Sequence, residues 1–403
     1  MRVYMHIQDS SHRLCKKGKD YCEIMIISKE TSPHLRRNAS VTRMMVDVLI
    51  ALAPTLIFSF VVYPLSTLIT YLISIVVMIG AEFVYVGLRN MMPKDGKKHS
   101  FQERFNFAYK GKFTQNNVLT PAISAIIFTL IMPALRIDHP LTYVIIFVGS
   151  FVGIVLGKLV FGGLGSNIFN PAVVGMLFAK LCFGAQYAKL GVTTWYFTLP
   201  DALAGATPLG LINSGYFANI GHYQLFDLFF GRIPGTLGEV YKVTILVGLI
   251  YLLIRRSIDF RIVVSYLGTF LVLVLLGGLA VWTMNKNFNP FMFTLYNLLS
   301  GGVLFGATFM LTDPVTSPIN SPSRIIYGMV AAVVTVFIRF FAALPEGVGF
   351  SILIANMVAV ALDHYEWSNP RYTWKNILAM CLIVVISGTL TFVVIKFGGV
   401  YHG

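Results

Sequence analysis

The triplet Gly-Ala-Thr occurs twice in this chain, at residues 205–207 and 306–308, and each copy sets a hydroxyl beside a flexible backbone. The first lies in Asp201-Ala-Leu-Ala-Gly-Ala-Thr-Pro-Leu-Gly210, where Gly205 and Pro208 flank Thr207. A threonine hydroxyl is a poor nucleophile at neutral pH without activation. Covalent chemistry at Thr207 would therefore need a separate transferase acting on an exposed peptide; the alternative is an ordinary turn. The second copy belongs to the glycine-rich stretch Ser300–Pro318, which runs into Asp313-Pro314-Val315-Thr316. There Asp313 and Thr316 either cap the next helix or, with Gly306 and Thr308, hydrogen-bond a ligand. A comparable stretch, Phe161-Gly-Gly-Leu-Gly-Ser-Asn-Ile-Phe-Asn-Pro-Ala172, carries Asn167 and Asn170, which close turns or face the same ligand. Glycines let a backbone approach a flat ring closely.

The elements that must position these residues are membrane helices. Hydrophobic residues make up 56% of 403, charged residues 12%, and mean hydropathy is +0.74. A soluble domain of ordinary composition carries roughly twice that charge. Runs able to cross about 30 Å of hydrocarbon fall near 44–63, 66–88, 118–135, 141–160, 243–258, 261–283, 291–311, 325–343, 346–363 and 374–396, with a shorter one at 171–184. The expected fold is all-α and polytopic, with about 10–11 transmembrane helices. Non-helical backbone at membrane depth survives only where protein or a cavity satisfies it, so the two glycine-rich stretches predict broken helices. Their occurrence in both halves points to an inverted repeat.

The net charge of +14 follows the positive-inside pattern, not that of a nucleic-acid binder. Residues 1–42 hold eight Lys/Arg and 90–117 hold six, whereas 184–242 hold only Lys189, Arg232 and Lys242. This predicts a basic cytoplasmic segment 1–42, a transmembrane domain 43–363 with an extracytoplasmic loop 184–242 bearing Thr207, and a C-terminal extension 364–403 with one more helix. No cleavable signal peptide is apparent in the first forty residues. Cys15, Cys22, Cys182 and Cys381 show no CxxC spacing, and no metal site is expected. Asp47, Glu82, Lys158, Arg339, Glu346 and Asp363 lie in or near the spans, where burial is costly. Glu82 and Arg339 lie deepest and need partners or a wet cavity. With Asp363 they are candidates for an ion pathway, against the default of snorkelling near helix ends. His34, His222 and His364 form no convincing haem-ligand pair.

Six stretches in order resemble one family. Ser32-Pro-His-Leu-Arg36, followed by Met45–Leu52, is similar to the opening of the D subunit of the Rnf-type ion-translocating ferredoxin:NAD oxidoreductase. Residues 161–172, 201–210, Ile233–Glu239, 305–318 and Leu344–Val348 resemble segments shared with its homologue, the B subunit of the sodium-translocating NADH:quinone oxidoreductase. The resemblance implies a bacterial membrane flavoprotein that relays electrons, coupled to Na⁺ or H⁺ transport. FMN would be joined through its phosphate to Thr207, with Asp201, Gly205 and Ala206 completing the attachment motif. A second, non-covalent flavin such as riboflavin is also implied. Partners would be flavoprotein G-type, iron–sulfur B- and C-type, and membrane A- and E-type subunits, plus a flavin transferase. Neither a catalytic residue nor complete activity is expected of the chain alone, since Gly162, Gly163 and Gly165 follow no βαβ strand. Ala204 stands where the attachment motif usually has serine, and attachment is expected to tolerate it. Leu159 follows Lys158 where the sodium-pump homologue carries an acid, which disfavours the quinone-reductase branch. A solute channel or transporter without covalent flavin is the rival of another class.

Overall fold

The computed structural model describes residues 41–90, 102, 109–110, 113–190, 209, 224–231, 233, 235–286, 288–342, 347–364 and 372–397. All eleven apolar runs are helical. The first half contains α1 (Val41–Val62), α2 (Pro64–Asn90), α3 (Asn116–Ile131), α4 (Pro140–Ile154), α5 (Pro171–Cys182) and the short α6 (Gly184–Leu190). After α7 (Leu225–Phe230) the second half contains α8 (Lys242–Arg255), α9 (Phe260–Met284), α10 (Pro290–Leu299), α11 (Val303–Phe305), α12 (Ser321–Phe341), α13 (Val348–His364) and α14 (Trp374–Phe397). Counting α4 with the turn that extends it, six helices are long and apolar enough to cross a membrane; α3, α5 and α13 are shorter. The run expected at 291–311 is not one straight span. It is α10 and α11, bent by 61° at a glycine pair.

Local chemistry sets the boundaries. Helices α4, α5 and α10 begin at Pro140, Pro171 and Pro290, where proline lacks only an amide that would be orphaned anyway. The side chains of His139, Asn170 and Asn289 accept the next free amides, from Leu141, Ala172, and Phe291 with Met292. Each half also carries a widened π turn, just before the glycine-rich loop in the first half and within the glycine-rich stretch in the second. Val160 N–H donates to Val155 O (3.0 Å) at the end of α4, and Leu311 N–H donates to Gly306 O (2.9 Å) at the end of α11. Gly162, Gly163 and Gly165 follow the first turn at φ of 114°, 89° and 85°, a region that side chains other than glycine rarely enter.

The two halves meet along α1 and α8, which run antiparallel. Thr55 bonds Thr244 at one end, and Asp47 accepts from Tyr251, Arg255 and Ser257 at the other. Between them Gly248 comes so near that an added Cβ would lie 2.6 Å from Ala51 O. In the first half α4 crosses α5 equally closely: a Cβ on Gly175 would lie 2.5 Å from Gly149 O. In the second half α14 packs on α9, with Gly388 against Leu276 and Ile395 against Gly277. One apolar core runs through both halves, from Leu52 and Met78 to Phe270 and Val336.

The bend between α10 and α11 frees carbonyls in the protein interior. Arg339 donates to Asn297 O (2.6 Å) and Ser300 O (3.4 Å), with its guanidinium 5.3 Å from the Phe270 ring centre. Lys242 donates to Gly301 O (2.9 Å) and to Glu239 O. The break is thus tied by two buried side-chain cations from α12 and the start of α8.

Arg339→Met should cost on the order of 1–3 kcal/mol for each carbonyl left without a donor, with Arg339→Lys recovering part. Thermal unfolding of the detergent-solubilised protein would show it, and an unchanged midpoint would mean that the guanidinium does not hold the bend. Gly175→Val should cost roughly 1–3 kcal/mol by overpacking against backbone. Gly80→Ala, with nothing within 4 Å of its Cβ, should be neutral or stabilise by up to about 1 kcal/mol.

Candidate functional site

A cavity opens between the two halves. Its apolar wall comes from Met45 and Val48 of α1, Ile123 and Ile127 of α3, Leu252 of α8, Ile258, and Phe309 of the second π turn. Its polar lining comes from the two π turns and the loops after them, together with Thr120 and Ser124 of α3 and Ser257 after α8. Lys158 lies in the first turn and Thr308 in the second; Asn167 and Asn170 come from one loop, Thr312 and Asp313 from the other. Apolar walls with a few convergent polar groups are the lining of a small-molecule site.

Lys158 is buried and ion-paired to buried Glu82, with Nζ 2.9 Å from Oε2. It also donates to Thr120 Oγ1 (2.9 Å), while Asn117 Nδ2 donates to Glu82 Oε1 (3.4 Å). The pair joins α2 to the end of α4 beneath the cavity. Asp313, of intermediate exposure, lies near enough for its charge to attract that of Lys158. Its Oδ1 accepts Val315 N–H (3.2 Å) and its Oδ2 accepts the Thr316 hydroxyl (3.4 Å), so it also closes its own turn. Asn170 likewise caps α5 with Oδ1.

Four residues expected near a second flavin, Asn167, Asn170, Thr308 and Asp313, therefore line one cavity. Gly306 and Thr316 do not line it. Gly306 faces α13, where an added Cβ would lie 2.6 Å from Val348 Cγ1, and Thr316 is buried against Asp313. The Thr308 hydroxyl donates to Leu304 O (2.8 Å) and keeps acceptor capacity. The three ion-pathway candidates occupy separate settings. Glu82 pairs with Lys158, Arg339 ties the α10–α11 bend, and Asp363 accepts Ile319 N–H at 3.1 and 3.3 Å, pinning the loop before α12. Thr207, Asp201, Gly205 and Ala206 lie outside the described residues.

Sequence reasoning gave Lys158 no place in the ligand site, and it missed Thr120 and Thr312 altogether. The available signal was Lys158 in a long apolar run immediately before the glycine-rich loop. The lining has the character an isoalloxazine would need: apolar walls for its rings, Lys158 and the Asn167 amide as donors and Asp313 as an acceptor. Among the described residues no group of three or more His, Cys, Asp or Glu could hold a metal ion.

Comparison with known proteins supplies the context. The chain is 36% identical over 248 residues to the B subunit of the Na(+)-translocating NADH-quinone reductase of Chromohalobacter salexigens, covering 60% of this chain and 57% of that protein. It is 28% identical to the D subunit of the proton-translocating ferredoxin:NAD(+) oxidoreductase complex of Clostridium ljungdahlii, covering 84% of this chain and 94% of the relative. It is 27% identical to the D subunit of the ion-translocating oxidoreductase complex of Haemophilus influenzae, covering 85% and 96%. The chain thus spans under three fifths of the quinone-reductase relative but nearly all of the other two. Residues 28–371, which include every cavity-lining residue and both π turns, match a single family model, and the chain belongs to the NQR2, RnfD, RnfE family.

Proposed function

We propose that this chain is the flavin-bearing membrane subunit of an Rnf-type ion-translocating oxidoreductase complex, carrying FMN on Thr207 and a second, non-covalent flavin in the cavity between the halves. The single observation that carries the reading is the convergence of two π turns, one from each half, on one apolar cavity with a small polar set. End-to-end coverage of the Clostridium and Haemophilus relatives supports the Rnf assignment. Higher identity over a shorter stretch to the Chromohalobacter relative keeps the sodium-translocating quinone reductase as the second reading. A neighbouring gene for a ferredoxin-like iron–sulfur subunit would favour the first, and its absence the second.

Bound flavin supplies one- and two-electron transfer; the protein supplies binding, orientation and electrostatics. Thr207, in a loop poor in Lys and Arg, would face the extracytoplasmic side and present its hydroxyl to a flavin transferase. Met45, Ile123 and Phe309 would exclude water around the second ring. Asn167 and Asp313 would fix its edge, and Lys158 would place a cation beside it. The basic N-terminal segment would lie on the cytoplasmic side, with soluble substrates meeting partner subunits. Coupling to Na⁺ or H⁺ belongs to the whole complex. Turnover in sealed vesicles without movement of either ion would end that part of the reading.

Two outcomes are expected. Co-expressed with its transferase, the denatured subunit should fluoresce in a gel, with the adduct mapped to Thr207 by peptide mass spectrometry, and Thr207→Val should abolish both. No adduct on the wild type would instead favour a transporter without covalent flavin. Separately, Asn167→Leu should reduce acid-released flavin from the purified complex several-fold while leaving the Thr207 adduct intact. Wild-type release from that variant would remove Asn167 from the site.

A further inference from the structure

Lys158 has one more donor than its neighbours use. A lysine ammonium carries three N–H groups; one donates to Thr120 Oγ1 (2.9 Å), and the ion pair with Glu82, 2.9 Å from Nζ to Oε2, engages at most one more. The side chain is about 2% exposed, yet it lines the cavity. It is brought there by the π turn Val155–Leu159, held from behind by a close backbone approach: a Cβ on Gly157 would lie 2.7 Å from Pro171 Cα. A buried donor without an acceptor is costly, and the cavity is where a ligand atom could supply one.

We propose that the third N–H of Lys158 donates to a ring acceptor of the non-covalent flavin, making Lys158 the positioning residue that sets how readily that ring is reduced; this rests on the reading that a flavin occupies the cavity. Glu82 holds the lysine charged and oriented, and Thr120 fixes its azimuth. A bound flavin would supply the electron-transfer chemistry, and the Lys158 ammonium would stand beside its ring as a fixed cation. In a low-dielectric site such a preorganised charge acts strongly. A neutral solute passing through the cavity would draw little from it.

The test uses the complete complex in a Thr207→Val background, which removes this chain's own covalent flavin, and each Lys158 variant is read as a difference from that background so that flavins on partner subunits cancel. Lys158→Met alone leaves Glu82 buried without its cation, so the Lys158→Met/Glu82→Gln double variant is the informative one, with Lys158→Arg as the conservative partner. Two quantities are read: flavin released by acid per mole of complex, and its midpoint potential by spectroelectrochemistry. The double variant should lose at least tenfold in flavin content, or hold a flavin whose potential has fallen by about 59 mV or more, a tenfold change for a one-electron couple. Lys158→Arg should restore most of either loss. Wild-type content and potential in the double variant would overturn the role of Lys158 and leave the cavity reading standing. A wild-type complex that releases no flavin on acid treatment would overturn the cavity reading, and this proposal with it.

Discussion

Backbone that leaves a helix inside an apolar medium must find every hydrogen bond within the protein. This chain leaves its helices twice at comparable points, and much of its buried polar chemistry follows. Arg339 and Lys242 answer the carbonyls between α10 and α11. Arg89 donates to Gly162 O (2.8 Å) in the first loop, and Arg324 donates to Pro318 O (2.8 Å) in the second. Asp363 takes the Ile319 amide. Charged side chains that look misplaced in so apolar a chain are thus largely the partners of broken backbone.

The same breaks create the cavity. A straight helix would fill the space with side chains at regular spacing. A π turn shifts the register instead, and the loop beyond it withdraws from the axis. Because one such turn enters from each half, the space lies at the junction, roofed by α1 against α8. The Asp47 cluster of Tyr251, Arg255 and Ser257 stands beside it, so the seam that joins the halves also frames the cavity. Lys158 on its lining is ion-paired to buried Glu82 behind it, with both members drawn from the first half.

Much of this was legible in the sequence. All eleven apolar runs are helices, because long hydrophobic stretches bounded by Asn-Pro, His-Pro and glycine leave the backbone few alternatives. Asn167, Asn170, Thr308 and Asp313, which line one cavity, stand out in the sequence through the glycine-rich stretches holding them. The direction of each side chain does not. Lys158 turns inward only because a five-residue turn replaces a four-residue one, a change that hydrophobic periodicity does not register. Gly306 reads as a place for a ring to approach, but its missing Cβ makes room for Val348. Arg339 reads as part of an ion route, as a cation deep in an apolar run does, until the carbonyls 39 and 42 residues upstream are seen beside it.

That separation has a consequence for how the chain is made. Helices α10 and α11, of ten and eight residues counting the π turn, are each too short to cross a bilayer. Their junction cannot be closed until α12 has been synthesised. At about 5–20 residues per second, the Asn297 and Ser300 carbonyls wait roughly 2–8 s for Arg339 to leave the ribosome. During that interval the half-helices must shelter at the insertion machinery or in the headgroup region, and the bend forms by docking of a later segment onto an earlier one. Biogenesis of this protein is therefore not a succession of independent insertions: its most awkward piece of backbone is finished from downstream.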